Sequence, residues 1–116
     1  MSRRDDGTRL RHMLDHAREL CELARGKSLR DLEHDRMFEL AVTRLLEVIG
    51  EAARAVSEPM RVAHPEIPWA DIWGMRNALI HVYDEIDHVV VWRTIEADLP
   101  ALIGQLTDIL ARHGRS

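Results

Sequence analysis

The chain has 116 residues, with 16 Lys and Arg against 20 Asp and Glu for a formal net charge of −4. That length suits one domain with its own core, the acidic balance excludes a protein that grips nucleic acid over a broad basic surface, and no stretch approaches the roughly 18 consecutive apolar residues of a membrane span. Few turn residues (6 Gly, 4 Pro) and 4% aromatics favour helices over a sandwich or barrel, so the expectation is a single all-α domain over residues 1–116, soluble and cytoplasmic.

From Thr8 to Ala24, the residues Leu10, Met13, Leu14, Ala17, Leu20, Cys21 and Ala24 recur at the spacing of one buried helix face. Thr8 is the expected N-cap and Gly26 the closing residue. Cys21 falls on the apolar stripe and reads as a structural thiol. His12 and His16 stand one turn apart, a spacing that can bind metal, but Met13 occupies the place where a zinc-protease pattern needs glutamate, and no metal site is expected.

Ser28 and Asp31 offer new start signals for a long second helix, along which Met37, Ala41, Leu45, Val48, Ile49, Ala52 and Val56 form the stripe. Gly50 is anomalous in a helix interior and reads as a place where another helix comes close. Pro59, Pro65 and Pro68 then punctuate a rigid connection with room for a short helical turn around Met60 to Ala63. A third main helix starts at Trp69 to Asp71 and runs to Tyr83 or Asp84. Asp87 caps a fourth, which extends to about Arg112 and is kinked or divided near Asp98 by Pro100. Four main helices in an up-and-down bundle follow.

The third helix holds the chemistry. With a helical period, Ile72, Met75, Leu79 and Val82 share an apolar stripe, while Arg76, Asn77, His81 and Asp84 occupy an arc on the other side together with Trp73 and Ile80. Ionisable groups mixed with apolar bulk suggest half of an interface rather than a solvated face.

Arg76, four residues, His81, one residue and Tyr83 form a pattern that resembles the R-x4-6-H-x-Y signature of HEPN domains, specifically the HepT-like toxins of prokaryotic toxin–antitoxin pairs. The resemblance extends to Asn77 after the arginine, the lead-in IPWADIWGM (67–75), VIGEAARAVS (48–57), Asp87, Trp92 and the Leu99-Pro100 pair, and so covers nearly the whole chain.

Histidine exchanges protons near neutral pH, and arginine stabilises the added charge of a phosphorane. Cleavage by the ribose 2′-hydroxyl needs a base and an acid, and a twofold dimer that faces two motif helices across a cleft would supply both. The resemblance implies such a homodimer: a metal-independent endoribonuclease without cofactor, with Arg76 on the scissile phosphate, His81 as acid/base group and Asn77 orienting one of them. It also implies a nucleotidyltransferase antitoxin that adenylylates Tyr83, placing charge and bulk beside the cleft.

Other readings of the same residues stay open: Arg76 paired with a glutamate on a neighbouring helix, Tyr83 packed at the rim of the core, and Asp84 either orienting the imidazole or ending the helix. The alternative function is a HEPN-like helical module that partners a nucleotidyltransferase without cutting RNA. An unrelated adaptor dimerising through Trp73 and Ile80 ranks last.

Overall fold

Every regular element among the described residues is helical. The computed structural model describes residues 3–79 and 86–113, leaving aside the side chains at positions 3, 4 and 75–79. In chain order the helices are α1 (Arg3–Ala24), α2 (Leu29–His34), α3 (Arg36–Ala55), α4 (Glu58–Ala63), α5 (Trp69–Leu79), α6 (His88–Arg93) and α7 (Leu99–His113), with a π-helical turn, Thr94–Asp98, joining the last two.

The first helix begins before Thr8, which lies inside it and is not its cap. Asp5 and Asp6 in the first turn favour the positive end of the helix dipole. Asp6 is also buried, and its carboxylate accepts from the Ser57 backbone N–H at 2.8 Å and from the Ser57 hydroxyl at 2.6 Å. This bond pair ties the start of α1 to the turn beyond α3. Gly26 closes α1 with φ +77°, the left-handed geometry expected of it. Cys21 is half-buried against the core, and desolvation pushes its thiol above the ordinary range.

The expected long second helix is broken at Asp35. Ser28 and Asp31 form a reciprocal capping box that starts α2. Asp35 then leaves helical geometry (φ −100°, ψ 100°), and its side chain accepts from the Phe38 N–H at 3.1 Å to start α3. The break resets the helical phase. Met37, expected on the buried stripe, is 82% exposed, while Leu32 and Phe38 enter the core. From Phe38 the buried face continues through Val42, Leu46, Ile49, Gly50 and Ala53.

Ser57 caps the short helix α4, whose first turn contains Pro59. Asp87 caps α6 through the Val90 N–H at 3.2 Å, as its position in the sequence suggested. The division near Asp98 takes the form of the π turn, where the Leu99 N–H reaches back to the Thr94 carbonyl. Pro100 offers no N–H and its ring displaces the carbonyl four residues earlier, so the widened turn absorbs the mismatch.

Side-chain pairs define the topology. Asp6 meets Ser57 while Lys27 lies over the Phe38 ring, so α1 and α3 run antiparallel. Arg18 donates to Thr107 and Gly7 faces His113, so α1 and α7 are antiparallel too. α3 packs on α1 and also on α5, which places it between the first helix and the motif helix. Leu10, Met13, Leu20, Val42, Leu106 and Ile109 are the fully buried centre of this bundle.

Two stability predictions follow from these contacts. Asp6→Ala leaves the Ser57 N–H without its acceptor and removes two charge-assisted bonds, so urea denaturation should show a loss of about 2–4 kcal/mol. At Gly50 an added Cβ would meet the Ile72 carbonyl oxygen at 3.5 Å, an ordinary contact. Gly50→Ala should therefore be neutral or stabilising by up to about 1 kcal/mol, whereas Gly50→Leu should push α5 away and destabilise the fold.

Candidate functional site

The leading end of the motif helix α5 is fastened on three sides. Ile67, just before it, is buried in the core at 2% exposure. The buried Trp69 donates its indole N–H to the His64 carbonyl at 3.0 Å, and Gln105 of α7 donates to the Glu66 carbonyl at 2.9 Å. Pro65 and Pro68 remove backbone freedom from the same connection. Ile72 then meets α3 at Gly50. A helix started this firmly carries its register forward to positions 76 and 77.

The packed side of α5 is formed by Trp69, Ile72 and Trp73. Trp73 is half-buried against the core, and the Arg61 guanidinium lies over its ring at 5.0 Å from the centroid. Its indole N–H is buried without a hydrogen-bond partner among the described residues, so packing and the Arg61 stack hold the ring. Positions 76 and 77 follow Trp73 by three and four residues, one helical turn further along the same side. Their backbone belongs to α5, while Ile80, His81, Tyr83 and Asp84 lie outside the described residues.

A second flank of α5, around Asp71 and Ile72, has different chemistry. A groove of about 240 Å³ runs between α3, the start of α5 and the beginning of α7. Leu46, Ile49, Ile72 and Leu102 give it apolar walls, Glu66, Asp71 and Asp98 bring carboxylates, and among the described residues no Lys or Arg lines it. Of these carboxylates, Glu66 is met by Arg112 at 4.0 Å and by His64 at 3.4 Å. The two flanks of the motif helix therefore differ in sign: carboxylates on the Asp71 side, a guanidinium on the Trp73 side.

Where the chain returns from the motif segment, His88 at the start of α6 is held to α3. Its Nε2 lies 2.6 Å from Glu39 Oε2, and Arg36 bonds the other carboxylate oxygen of Glu39. Burial raises the Glu39 carboxyl, but hydrogen bonds and charge from His88 and Arg36 outweigh it and hold the group below the ordinary carboxylate range. Both ends of the segment that carries the motif are thus pinned to α3, through Ile72 before it and His88 after it.

Residues 13–109 match the profile of the HepT-like family, described as Ribonuclease HepT-like. The chain belongs to the HepT-like ribonuclease family. Its relatives agree. It is 34% identical to "Putative RNase MJ1380" of Methanocaldococcus jannaschii over 88% of this chain and 94% of that protein. It is 36% identical to "Putative RNase TTE0752" of Caldanaerobacter subterraneus subsp. tengcongensis over 89% and 92%, and 39% identical to "Probable ribonuclease HepT" of Thermococcus cleftensis over 72% and 76%. No solved structure matches the chain. The HepT-like match runs from the middle of α1 almost to the end of α7 and includes the whole segment from Arg76 to Asp84.

Sequence reasoning did not find the Arg61–Trp73 stack, the acidic groove or the Glu39–His88 link of this HepT-like chain. Each joins residues from different elements, and no local spacing announces them. The Glu39–His88 link has a pH signature. Because the folded-state carboxyl is held low, its contribution is fully present above the carboxylate range of the unfolded chain and is lost as pH falls through the depressed folded value. Urea midpoints measured from pH 7 to pH 3 should therefore fall less steeply for Glu39→Gln than for wild type. Equal acid limbs would show that the link contributes no net stability.

Proposed function

We propose that this protein is a metal-independent endoribonuclease whose active site is composite, formed by Arg76 and His81 from two copies of the chain across a homodimer cleft. Arg76 holds the scissile phosphate and stabilises its added charge, and Asn77 orients phosphate or imidazole. One His81 removes the 2′-hydroxyl proton and the other protonates the leaving 5′-oxygen. The observation that carries this reading is the intact Arg76, His81 and Tyr83 pattern within the HepT-like match over residues 13–109. The relatives named as ribonucleases support the reaction class.

In this reading the enzyme is the cytoplasmic toxin of a toxin–antitoxin pair. A cognate nucleotidyltransferase antitoxin transfers adenylate to the Tyr83 hydroxyl, and the added phosphate repels RNA from the cleft. Ile80 contributes to the apolar part of the interface, Trp73 supports that face from the core beneath Arg61, and Asp84 supports His81. The opposite sign of the two α5 flanks favours RNA approaching over the Trp73 side.

The test is cleavage of total RNA in EDTA, with dimer mass checked for every variant. Arg76→Ala and His81→Ala should each lower the rate by about a hundredfold or more without dissociating the dimer. Tyr83→Phe should retain cleavage and lose labelling by a nucleotidyltransferase. Full activity in His81→Ala would remove that residue from the mechanism, and absence of cleavage by wild type would favour a non-cleaving module that pairs with a nucleotidyltransferase.

A further inference from the structure

We infer that Arg61, held flat against Trp73, is an RNA-binding residue of the cleft and takes a backbone phosphate next to the scissile one. This rests on the ribonuclease reading above and adds a subsite to it. Arg61 belongs to α4 and lies far from the motif in sequence, yet its guanidinium sits over the Trp73 ring at 5.0 Å. Positions 76 and 77 come one turn later on the same side of α5. The shelf therefore borders the face on which the motif begins.

Three properties suit Arg61 to an anion. It makes no ion pair among the described residues, unlike Arg25, Arg36, Arg44 and Arg112, whose charges are spent on glutamates. Its guanidinium is already ordered by the ring and by donation from Nη1 to the Val56 carbonyl, so little side-chain freedom remains to be lost on binding. Its remaining N–H donors form a planar fork that matches phosphate oxygens.

The surrounding charge limits where RNA can pass. With a net charge of −4, the protein offers no broad cationic surface. The groove beside Ile72 carries Asp71 and Asp98 and, among the described residues, no cation in its lining, so it is the poorer side for a phosphate backbone. A strand whose scissile phosphate is at Arg76 meets a guanidinium without an ion pair among the described residues on the Trp73 side, that of Arg61. Arg61 acts there as a binding residue with no part in proton transfer.

The test uses the full-length dimer and an all-2′-O-methyl oligoribonucleotide, which lacks the attacking hydroxyl and so binds without being cut. Binding is read by fluorescence anisotropy across a salt series, and cleavage of the unmodified RNA is measured in parallel. Arg61→Gln keeps a flat donor for the Val56 carbonyl but removes the charge. Its Kd should rise about five- to twentyfold and the slope of log K against log salt should flatten by about 0.7, the value for one phosphate contact on a single strand. KM should rise with kcat nearly unchanged, since the lost contact is the same in ground and transition states. Arg61→Lys, which keeps the charge, should recover the salt slope.

Wild-type Kd and salt slope in Arg61→Gln, with melting temperature also unchanged, would overturn the proposal and leave the stack a packing feature. If Arg61→Gln instead melts early, Arg61→Lys decides: it must match the wild-type slope for the proposal to stand. RNA binding that depends on Arg61 without cleavage by wild type would refute the ribonuclease reading alone. A wild type that binds no RNA would overturn both.

Discussion

The contact between α5 and α3 at Ile72 and Gly50 is the constraint on which the rest of the site depends. Among the described side chains of α5, Trp69 is buried and Ile72 and Trp73 are buried in part. The helix keeps its place because the connection before it is pinned by Ile67, by the Trp69 indole and by Gln105, and because α3 presents at position 50 a surface with room for no more than a small side chain. Loss of that seat would rotate the helix and move positions 76 and 77 with it. The backbone at positions 76 and 77 thus rests on a packing contact made one turn earlier in the chain.

Charge is sorted around the same helix. The acidic groove beside Ile72 and the Arg61–Trp73 shelf lie on different flanks, so among the described residues α5 has carboxylates on one flank and a guanidinium on another. In a protein with an overall acid excess, such local sorting matters more than net charge, because exposed charges beyond about a Debye length of 10 Å are screened. Further along the chain, Glu39 receives His88 and Arg36 and holds the start of α6 against α3. The segment bearing the motif is therefore framed by one apolar and one ionic fastening.

Features governed by local backbone chemistry were readable before any coordinates. The Gly26 turn, the Ser28 and Asp87 caps, the short helix between the prolines and the break near Asp98 each follow from one residue's hydrogen-bonding or dihedral preference. Asp35 shows the limit. Met37, expected on the apolar stripe, is left exposed because the helix restarts at the capping Asp35 with Phe38 on its buried face. Thr8 shows the converse: a reasonable cap was overridden because Asp6, further back, is bonded to Ser57 across the bundle.

By itself, the sequence determined the all-helical class, most helix boundaries, the family and the residues Arg76, Asn77, His81 and Tyr83 as the candidates for chemistry, because these depend on periodicity, caps and a motif of fixed spacing. Only the tertiary structure decided that Trp73 is packed against its own core beneath Arg61, that Gly50 seats the motif helix, and that the two flanks of α5 differ in sign. The physical reason is range. Dihedral preference and helical period act within a few residues, whereas the field around α5 is set by α3, α4 and α7, and those helices meet it only once the chain has folded.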